Sequence, residues 1–383
     1  MITQRGFKYR LKPTTPHRGK FQQSAGARRW AFNHGLELRI QAYQTQGKTL
    51  TYYEQNIELT NLKDQPETLW LNEIHSQIPQ QALKDLDHSY RHFFRRIKNK
   101  QTPGHPKFKK KGIKESFRYP QGVKVQGSQV YLPKIGWVKF RKTRELQGKI
   151  KETTIVQEGN AWYVIFTCEI EYEKPALAPI DETRAIGIDM GVTHFATTAA
   201  GKENILQEIP HPRFLEKNLS KLKHLSRNHS RKTKGSKNKL KARLKLSQKH
   251  AQVKNLRNNF VQQLSTQMVK NHDIFCIETL DISNLLQKSP RSLSRAISDA
   301  GWRSFLHCLK YKTEQRGKHL VEAGKYFPSS QICSSCDHRK AMPLSQREYH
   351  CLSCGLRIGR DYNSAIDLKA AGMSVLKPVE LPH

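Results

Sequence analysis

Three carboxylates and four cysteines are the residues of this chain best placed to do chemistry. Asp189 stands in the strand-like stretch GIDMG, Glu278 ends another in IFCIET, and Asp361 opens a helical stretch, GRDYNSAIDL. Each alone has a bland explanation. A lone Asp on a strand is usually a solvated or turn residue, and Asp caps helix starts well. Asp189 differs because Ile186 and Ile188 flank it in a buried pattern, and Glu278 because it follows Ile274, Phe275 and Ile277. A charge at the end of a buried strand is costly unless it is paired or binds metal. Hard cations prefer carboxylate oxygens. Two Mg2+ about 3.5–4 Å apart clamp the attacking water and the leaving 3′ oxygen of a phosphodiester. Three acids can hold both ions, with Asp189 bridging them, so the expected chemistry is metal-assisted hydrolysis. In the order strand, strand, helix they fit an RNase H-like site, where carboxylates meet at the edge of one sheet.

The cysteines Cys333, Cys336, Cys351 and Cys354 are spaced C-x2-C-x14-C-x2-C, between the second and third acids. Two such turns supply four thiolates to tetrahedral Zn2+, a closed structural site with no open position for catalysis. Gly355 follows the last cysteine where a tight turn needs it. His338 and His350 are adjacent alternatives, but four cysteines already complete the shell. Cys168, Cys276 and Cys308 lie in apolar patterns and read as buried free thiols of a reducing cytosol.

The partner is indicated by charge. The 383 residues carry 67 Lys and Arg against 32 Asp and Glu, a net +35, which calls for a polyanion. Nucleic acid leads. A membrane is disfavoured, because no lipidation motif, amphipathic basic anchor or apolar run of about 20 residues occurs, and the N-terminus has no apolar signal core. The expected location is therefore cytoplasmic, at the nucleoid when bound to DNA. Residues 213–257 hold sixteen Lys or Arg and Glu216 as their one acid. A merely solvated helix face would alternate signs. Lys232, Lys234, Lys237, Lys239, Lys241, Arg243 and Lys245 are the candidate phosphate contacts.

The elements that must position these groups are legible in part. Phe7, Tyr9 and Leu11 alternate with Lys8 and Arg10 in a strand ended by Pro13. Residues 16–98 read as helical. The clearest helix, PQQALKDLDHSYRHFFRRIK, carries Ala82, Leu83, Leu86, Tyr90, Phe93, Phe94 and Ile97 at helical spacing, expected as a bundle core. After a Lys- and Pro-rich loop (NKQTPGHPKFKKKG), residues 117–172 alternate with period two. This suggests a small barrel whose sixth strand is the N-terminal one, with the helical block as an insertion. KPALAPIDET reads as a linker. From Arg184 onward the pattern gives a hairpin of strands with Gly191 near the turn. Long basic helices broken at KTKGSKNK follow, then a strand at NHDIFCIETL. One amphipathic helix from Ser294 to Gly317 presents Trp302, Phe305, Leu306 and Leu309 on one face, and KHLVEAGKYF is a further strand. No internal repeat is present.

On these residues the chain resembles TnpB proteins, transposon-encoded RNA-guided nucleases related to type V CRISPR effectors. The carriers are GIDMGV, the block LSRNHSRKTKGSKNKLKARLKLSQKHAQVKN, IET, AISDAGWRSFLHCLKYK, YFPSSQICSSC, HCLSCG and RDYNSA, all between Arg184 and Gly372. YRLKPT, FFRRIK, PGHPKFKKK and YLPKIGWVKF extend it over nearly the whole chain. The resemblance implies a multidomain α+β protein. A WED-type β-barrel would comprise residues 1–12 and 117–180, with a helical REC domain inserted at 13–116. An RNase H-like α/β RuvC domain would comprise 181–327 and 358–383, interrupted by a four-cysteine zinc module at 328–357.

The resemblance also implies a guide RNA from the transposon end, cleavage of double-stranded DNA beside a short motif, and a monomer within the ribonucleoprotein. Asp189, Glu278 and Asp361 fall on the family's catalytic positions and the four cysteines on its zinc positions. Two catalytic Mg2+ and one structural Zn2+ are the implied cofactors. Motif reading belongs on REC and WED surfaces, with Tyr52, Asn56 and Gln80 as candidates, although ordinary helix surface explains them equally well. The guide would be held by shape and phosphate. The chain departs from the family in Asp337, where many relatives have Gly after the first CxxC, and in a short tail after Gly372. Rival readings are a nuclease-dead RNA-guided repressor, disfavoured because all three acids are present, a DNA-joining transposase, and an inactive zinc-ribbon RNA binder.

Overall fold

Strict alternation of apolar and cationic residues builds the first strand, β1 (Ile2–Lys12). Phe7, Tyr9 and Leu11 point inward and are buried, Lys8, Arg10 and Lys12 point outward, and Pro13 ends the ladder. The computed structural model of the chain describes residues 2–112, 115–324, 327–343 and 345–376. It divides into two compact units, Met1–Tyr172 and Glu173–His383. The last residues of the expected 358–383 segment, Lys325 and Tyr326 of the expected strand KHLVEAGKYF, and two residues of the expected 13–116 segment lie outside the described residues.

In the first unit, β1 is followed by three helices, α1 (Thr15–Gln46), α2 (Tyr52–Leu62) and α3 (Gln77–Lys98). Six strands follow: β2 (Ser116–Tyr119), β3 (Lys124–Gln126), β4 (Gln129–Leu132), β5 (Gly136–Arg141), β6 (Lys149–Glu158) and β7 (Ala161–Glu171). The sheet order is β2-β6-β7-β1-β5-β4-β3. The expected barrel is thus a curled sheet whose ladder stays open between β2 and β3 among the described residues. The N-terminal strand is its centre, because the long β1 pairs with β7 from Ile2 to Arg10 and with β5 along its last three residues. Tyr9, Phe140 and Phe166 pack with ring centroids 5.1–5.9 Å apart. Each such buried side chain contributes about 1.5–3 kcal/mol.

The apolar stripe of α3 is core only at its start. Ala82, Leu83 and Leu86 are buried against α1, whereas Phe94 and Ile97 are 51% and 49% exposed. The bundle ends before the helix does. Tyr90, Phe93, Phe94 and Ile97 instead line a surface groove with Tyr43 and His105.

The second unit contains a five-stranded sheet ordered β10-β9-β8-β11-β12. Its strands are β8 (Ala185–Asp189), β9 (His194–Ala200), β10 (Ile205–Pro210), β11 (Ile274–Glu278) and β12 (His319–Ala323). The first three form an antiparallel meander, and β11 joins β8 in parallel and β12 joins β11 in parallel. The helices α4 (Phe214–Ser230) and α5 (Lys237–Asn271) make the first parallel crossover. The helices α6 (Ile282–Lys288), α7 (Arg291–Ala300) and α8 (Trp302–Gln315) make the second. A two-stranded ribbon of β13 (Glu348–His350) and β14 (Arg357–Gly359) leads directly into α9 (Arg360–Leu376).

The helix expected from Ser294 to Gly317 is two helices. Gly301 takes φ +75, a left-handed conformation that ends α7 and starts α8. The linker-like residues 173–180 fall in this unit, where Ala178 N–H donates to Gly317 O at 2.6 Å. Among the described residues no helix is long and apolar enough to cross a membrane.

Candidate functional site

The central strands β8 and β11 are buried on both faces, so their side chains sort with period two. Ile186, Ile188, Phe275 and Ile277 pack with Val261, Met268 and Phe305 of α5 and α8. Ala185, Ile274 and Cys276 pack with Met373 of α9. Gly187 also faces α9, and so closely that a Cβ there would stand 2.0 Å from Ala365 O. Continuing the alternation, Asp189 and Glu278 reach the α9 face at the ends of their strands. Ile277 pairs with Ile188 and both acids follow at once. Asp361, the second residue of α9, opens the helix on that face. The three predicted acids are therefore gathered by strand parity and by one helix start.

Their electrostatics agree with that placement. Burial, then the charges of Asp361 and Glu278, pushes the Asp189 carboxyl up to about 7, with Arg360 acting in the opposite direction. Burial also raises Glu278. Asp361 accepts from Arg360 Nε and Nη2 at 3.3 and 3.2 Å, while Arg360 Nη1 donates to Gln346 O at 3.1 Å. Carboxylates that resist ionising side by side are what a cation would stabilise. Arg360 was not singled out from sequence; its one signal is adjacency to Asp361 in RDYNSA.

The four cysteines converge. Among the described residues they form the group whose ligand atoms all lie within 4.8 Å of one another. Cys333 and Cys354 sulfurs are 3.6 Å apart, as are Cys336 and Cys351, close to the ~3.8 Å edge of a tetrahedron with Zn–S bonds of about 2.3 Å. Both turns close alike: Asp337 N–H donates to Cys333 O at 2.9 Å and Gly355 N–H to Cys351 O at 3.2 Å. The residues after the two motifs are both left-handed, Asp337 at φ +60 and Gly355 at φ +75. Amide donors pull Cys351 down to about 6 while burial pushes Cys333 up to about 12. Crowded thiols of this kind fit a zinc ion, which would let all four ionise. Tyr349 is buried with Cys333 and Cys351, and its hydroxyl donates to Gln331 O and His338 O.

A second residue missed in sequence ties this segment to α9. Asn363 is fully buried. Its Oδ1 accepts from Ser334 N–H at 3.0 Å, and its Nδ2 donates to Ile332 O at 2.5 Å and Asp367 Oδ2 at 3.0 Å. The cysteine cluster is thereby pinned one half-turn from Asp361.

The remaining candidates are dispersed. Lys232 and Lys234 lie in the loop between α4 and α5, and Lys237, Lys239, Lys241, Arg243 and Lys245 on the first turns of α5. All are exposed except Lys239, whose ammonium donates to Lys232 O at 2.9 Å and closes that loop. Tyr52 and Asn56 are one turn apart on α2, and the Asn56 amide donates to Tyr52 O at 2.9 Å. Gln80, on α3, is half-buried like both of them. Asp299, unremarked in sequence, is buried and accepts from Leu215 N–H at 2.7 Å and Arg257 Nη2 at 2.8 Å. It thereby fixes the start of α4 against α5.

With this geometry in hand, similarity to known proteins becomes informative. Residues 167–289 match the family OrfB_IS605, described as "Probable transposase". Residues 302–368 match a "Cas12f1-like, TNB domain", and residues 1–48 a helix-turn-helix model of the same OrfB group. That last stretch folds here as β1 and one unbroken helix, α1. The chain is 32% identical to "Putative RNA-guided DNA endonuclease InsQ" of Escherichia coli K12, over 97% of this chain and 92% of that protein. It is also 32% identical to "Putative RNA-guided DNA endonuclease" of Streptomyces pristinaespiralis, over 97% and 90%. Its fold resembles the protein in "Cryo-EM structure of the Cas12f1-sgRNA-target DNA complex", with a TM-score of 0.52 and 14% identity over 91% of this chain and 82% of that one.

Proposed function

This chain belongs to the TnpB (OrfB_IS605) family of insertion-sequence proteins, and from that premise we propose that it is an RNA-guided, Mg2+-dependent DNA endonuclease. The observation that carries the reading is the parity of β8 and β11, which turns Asp189 and Glu278 to the face where Asp361 begins α9. Relatives named as RNA-guided DNA endonucleases supply the substrate class.

In this reading the first unit is the WED-type sheet with its inserted REC helices. The second is the RuvC-like nuclease, interrupted by the zinc module. Asp189, Glu278 and Asp361 would hold two Mg2+, which would supply an activated water and charge stabilisation on the leaving 3′ oxygen. Arg360 holds the Asp361 carboxylate in one orientation, and the raised proton affinity of Asp189 means that cations would compete with a proton there. Pairing of guide RNA with the target strand supplies specificity. The protein reads a short duplex motif, with Tyr52, Asn56 and Gln80 as candidate readers, and the cations from Lys232 to Lys245 hold phosphates. The four cysteines would hold a single structural Zn2+.

The test is Asp189→Ala in the ribonucleoprotein. Cleavage of guide-matched duplex should disappear while RNA and target binding stay within about threefold. A large loss of binding contradicts the catalytic assignment. The family description "Probable transposase" favours a second reading, strand transfer. The same reaction, supplied with transposon-end DNA, separates the two: joined products support transfer, and cleaved target alone supports the endonuclease.

A further inference from the structure

Asn363 grips the chain on both sides of one cysteine. Its Oδ1 accepts from Ser334 N–H at 3.0 Å and its Nδ2 donates to Ile332 O at 2.5 Å, and Cys333 stands between those two residues. The other amide hydrogen goes to Asp367 Oδ2 at 3.0 Å. Asn363, Asp367 and Cys333 are all buried. A flipped amide would set Nδ2 against the Ser334 N–H and Oδ1 against the Ile332 carbonyl, so one orientation survives. Asp361 stands two residues before Asn363 on α9.

The rest of the first turn of α9 is tied to the same segment. Arg360 N–H donates to Arg347 O at 2.8 Å, and Arg360 Nη1 to Gln346 O at 3.1 Å. β14 runs directly into α9, and its partner β13 ends just before Cys351. On the sheet side, Tyr362 meets Glu208, an exposed residue of the edge strand β10. The tight packing of α9 on β8 comes one and two turns later, at Ala365 and Lys369. The backbone that carries Asp361 is therefore placed by the cysteine segment as much as by the sheet. Leaving a buried polar group without its partner carries the full desolvation cost, so a shift at Cys333 must either carry the turn with it or break buried bonds.

We propose that Asn363 is a positioning residue that couples the cysteine site to the carboxylate centre, so that zinc on the cysteines tightens the carboxylates' hold on Mg2+ and Mg2+ tightens the cysteines' hold on zinc. The 3.6 Å sulfur separations fit the one ion, and the three acids gathered on the α9 face fit the other. Order at Cys333 passes through the Asn363 amide to α9, which then presents Asp361 in one place. The effect runs both ways, because a coupling free energy between two binding sites acts equally on each. A buried asparagine that merely completed a loop would lower stability when lost and leave the two metals indifferent to each other. This coupling regulates the carboxylate site of the endonuclease reading and rests on that reading.

The experiment takes the zinc-loaded ribonucleoprotein and measures zinc affinity by equilibrium competition with a zinc-selective chelator, with and without millimolar Mg2+. Mg2+ should raise zinc affinity about fivefold or more. The Asp189→Ala complex reports any effect of Mg2+ on the RNA and should show no such rise. Asn363→Ser should still bind zinc, lose the rise, and need about tenfold more Mg2+ for half-maximal cleavage, with the rate at saturating Mg2+ and the guide affinity within about threefold of parental. Asn363→Asp, which keeps the volume and loses the Nδ2 donors, stands in if that variant does not fold. Zinc affinity indifferent to Mg2+ in the parent, or a rise that persists in the Asn363 variant, overturns the proposal. If the two metals are coupled but guide-matched duplex stays uncut, only the endonuclease reading falls; if duplex is cut without the coupling, only this inference does.

Discussion

Replacing Gly187 by Ala tests the packing that sets the carboxylate geometry. The glycine is required here by a close approach, not by a turn. A Cβ built on it stands 2.0 Å from Ala365 O and 2.9 Å from Lys369 N, both backbone atoms of α9, where ordinary contact begins near 3.4 Å. Backbone cannot rotate aside, so α9 must retreat from β8 by roughly 1 Å or more. Asp361 rides on α9 one turn before Ala365, and Asp189 is two residues beyond Gly187 on β8. A displacement of about 1 Å in a reacting constellation costs on the order of 100-fold in rate, and overpacking a tight interface costs about 1–3 kcal/mol of stability. Gly187→Ala should therefore lower single-turnover cleavage by about two orders of magnitude and lower the melting temperature of the second unit. Guide and target affinity should stay within about threefold. Gly324→Ala, where a Cβ meets nothing within 4 Å, is the control and should do neither. A Gly187→Ala protein that cleaves at the parental rate refutes the argument that this contact holds Asp361 against Asp189.

Other consequences concern the metals and the turn that departs from the family. Asp337 occupies the left-handed position that Gly355 fills in the matching turn, so Asp337→Gly should stabilise the module by about 0.5–1 kcal/mol with zinc content unchanged; a lower melting temperature contradicts this. Cys333→Ser should lower zinc content and loosen the segment locally. Because Asn363 pins it to α9, it should also slow cleavage more than it weakens RNA binding; full zinc retention sinks the ligand assignment. For pH, the Asp189 carboxyl is raised in the folded state to about 7. Unfolded chains ionise it first, so the metal-free fold loses stability as pH rises from about 4 through 7, and a cation binding the ionised carboxylate recovers it. Mg2+ should raise the melting temperature more at pH 8 than at pH 6; equal shifts at both pH values contradict the sign.

The parts legible in sequence were those governed by local rules. Alternation in β1 and β5–β7, the unbroken apolar runs of β8 and β11, and the cysteine spacing each depend on a few adjacent residues. The three acids were visible because they end buried strands or open a helix. Most of what was missed depends on partners far along the chain. The stripe of α3 looks uniformly like core, but nothing in it records that full burial against α1 ends at Leu86 and that Tyr90 is only half-covered. Gly301 reads as one more residue in an amphipathic pattern until its left-handed φ divides the helix. Asn363 acts through the first cysteine turn, 29 and 31 residues earlier, and Gly187 through a helix nearly 180 residues later; no short window in the sequence holds both members of such a pair, whereas Arg360 stands beside Asp361 with nothing in its residue type to mark the contact. The open edge between β2 and β3 likewise depends on strand pairing, which alternation does not encode.

The central claim is best tested on the ribonucleoprotein itself. The protein, purified from cells carrying its flanking locus, should contain one discrete RNA that ends in variable sequence. With Mg2+, that complex should cut a duplex library only where the sequence matches the variable end beside one short motif, and the Asp189→Ala complex should carry the same RNA and cut nothing. Heterogeneous RNA, or cleavage indifferent to the guide or to Asp189, contradicts the account.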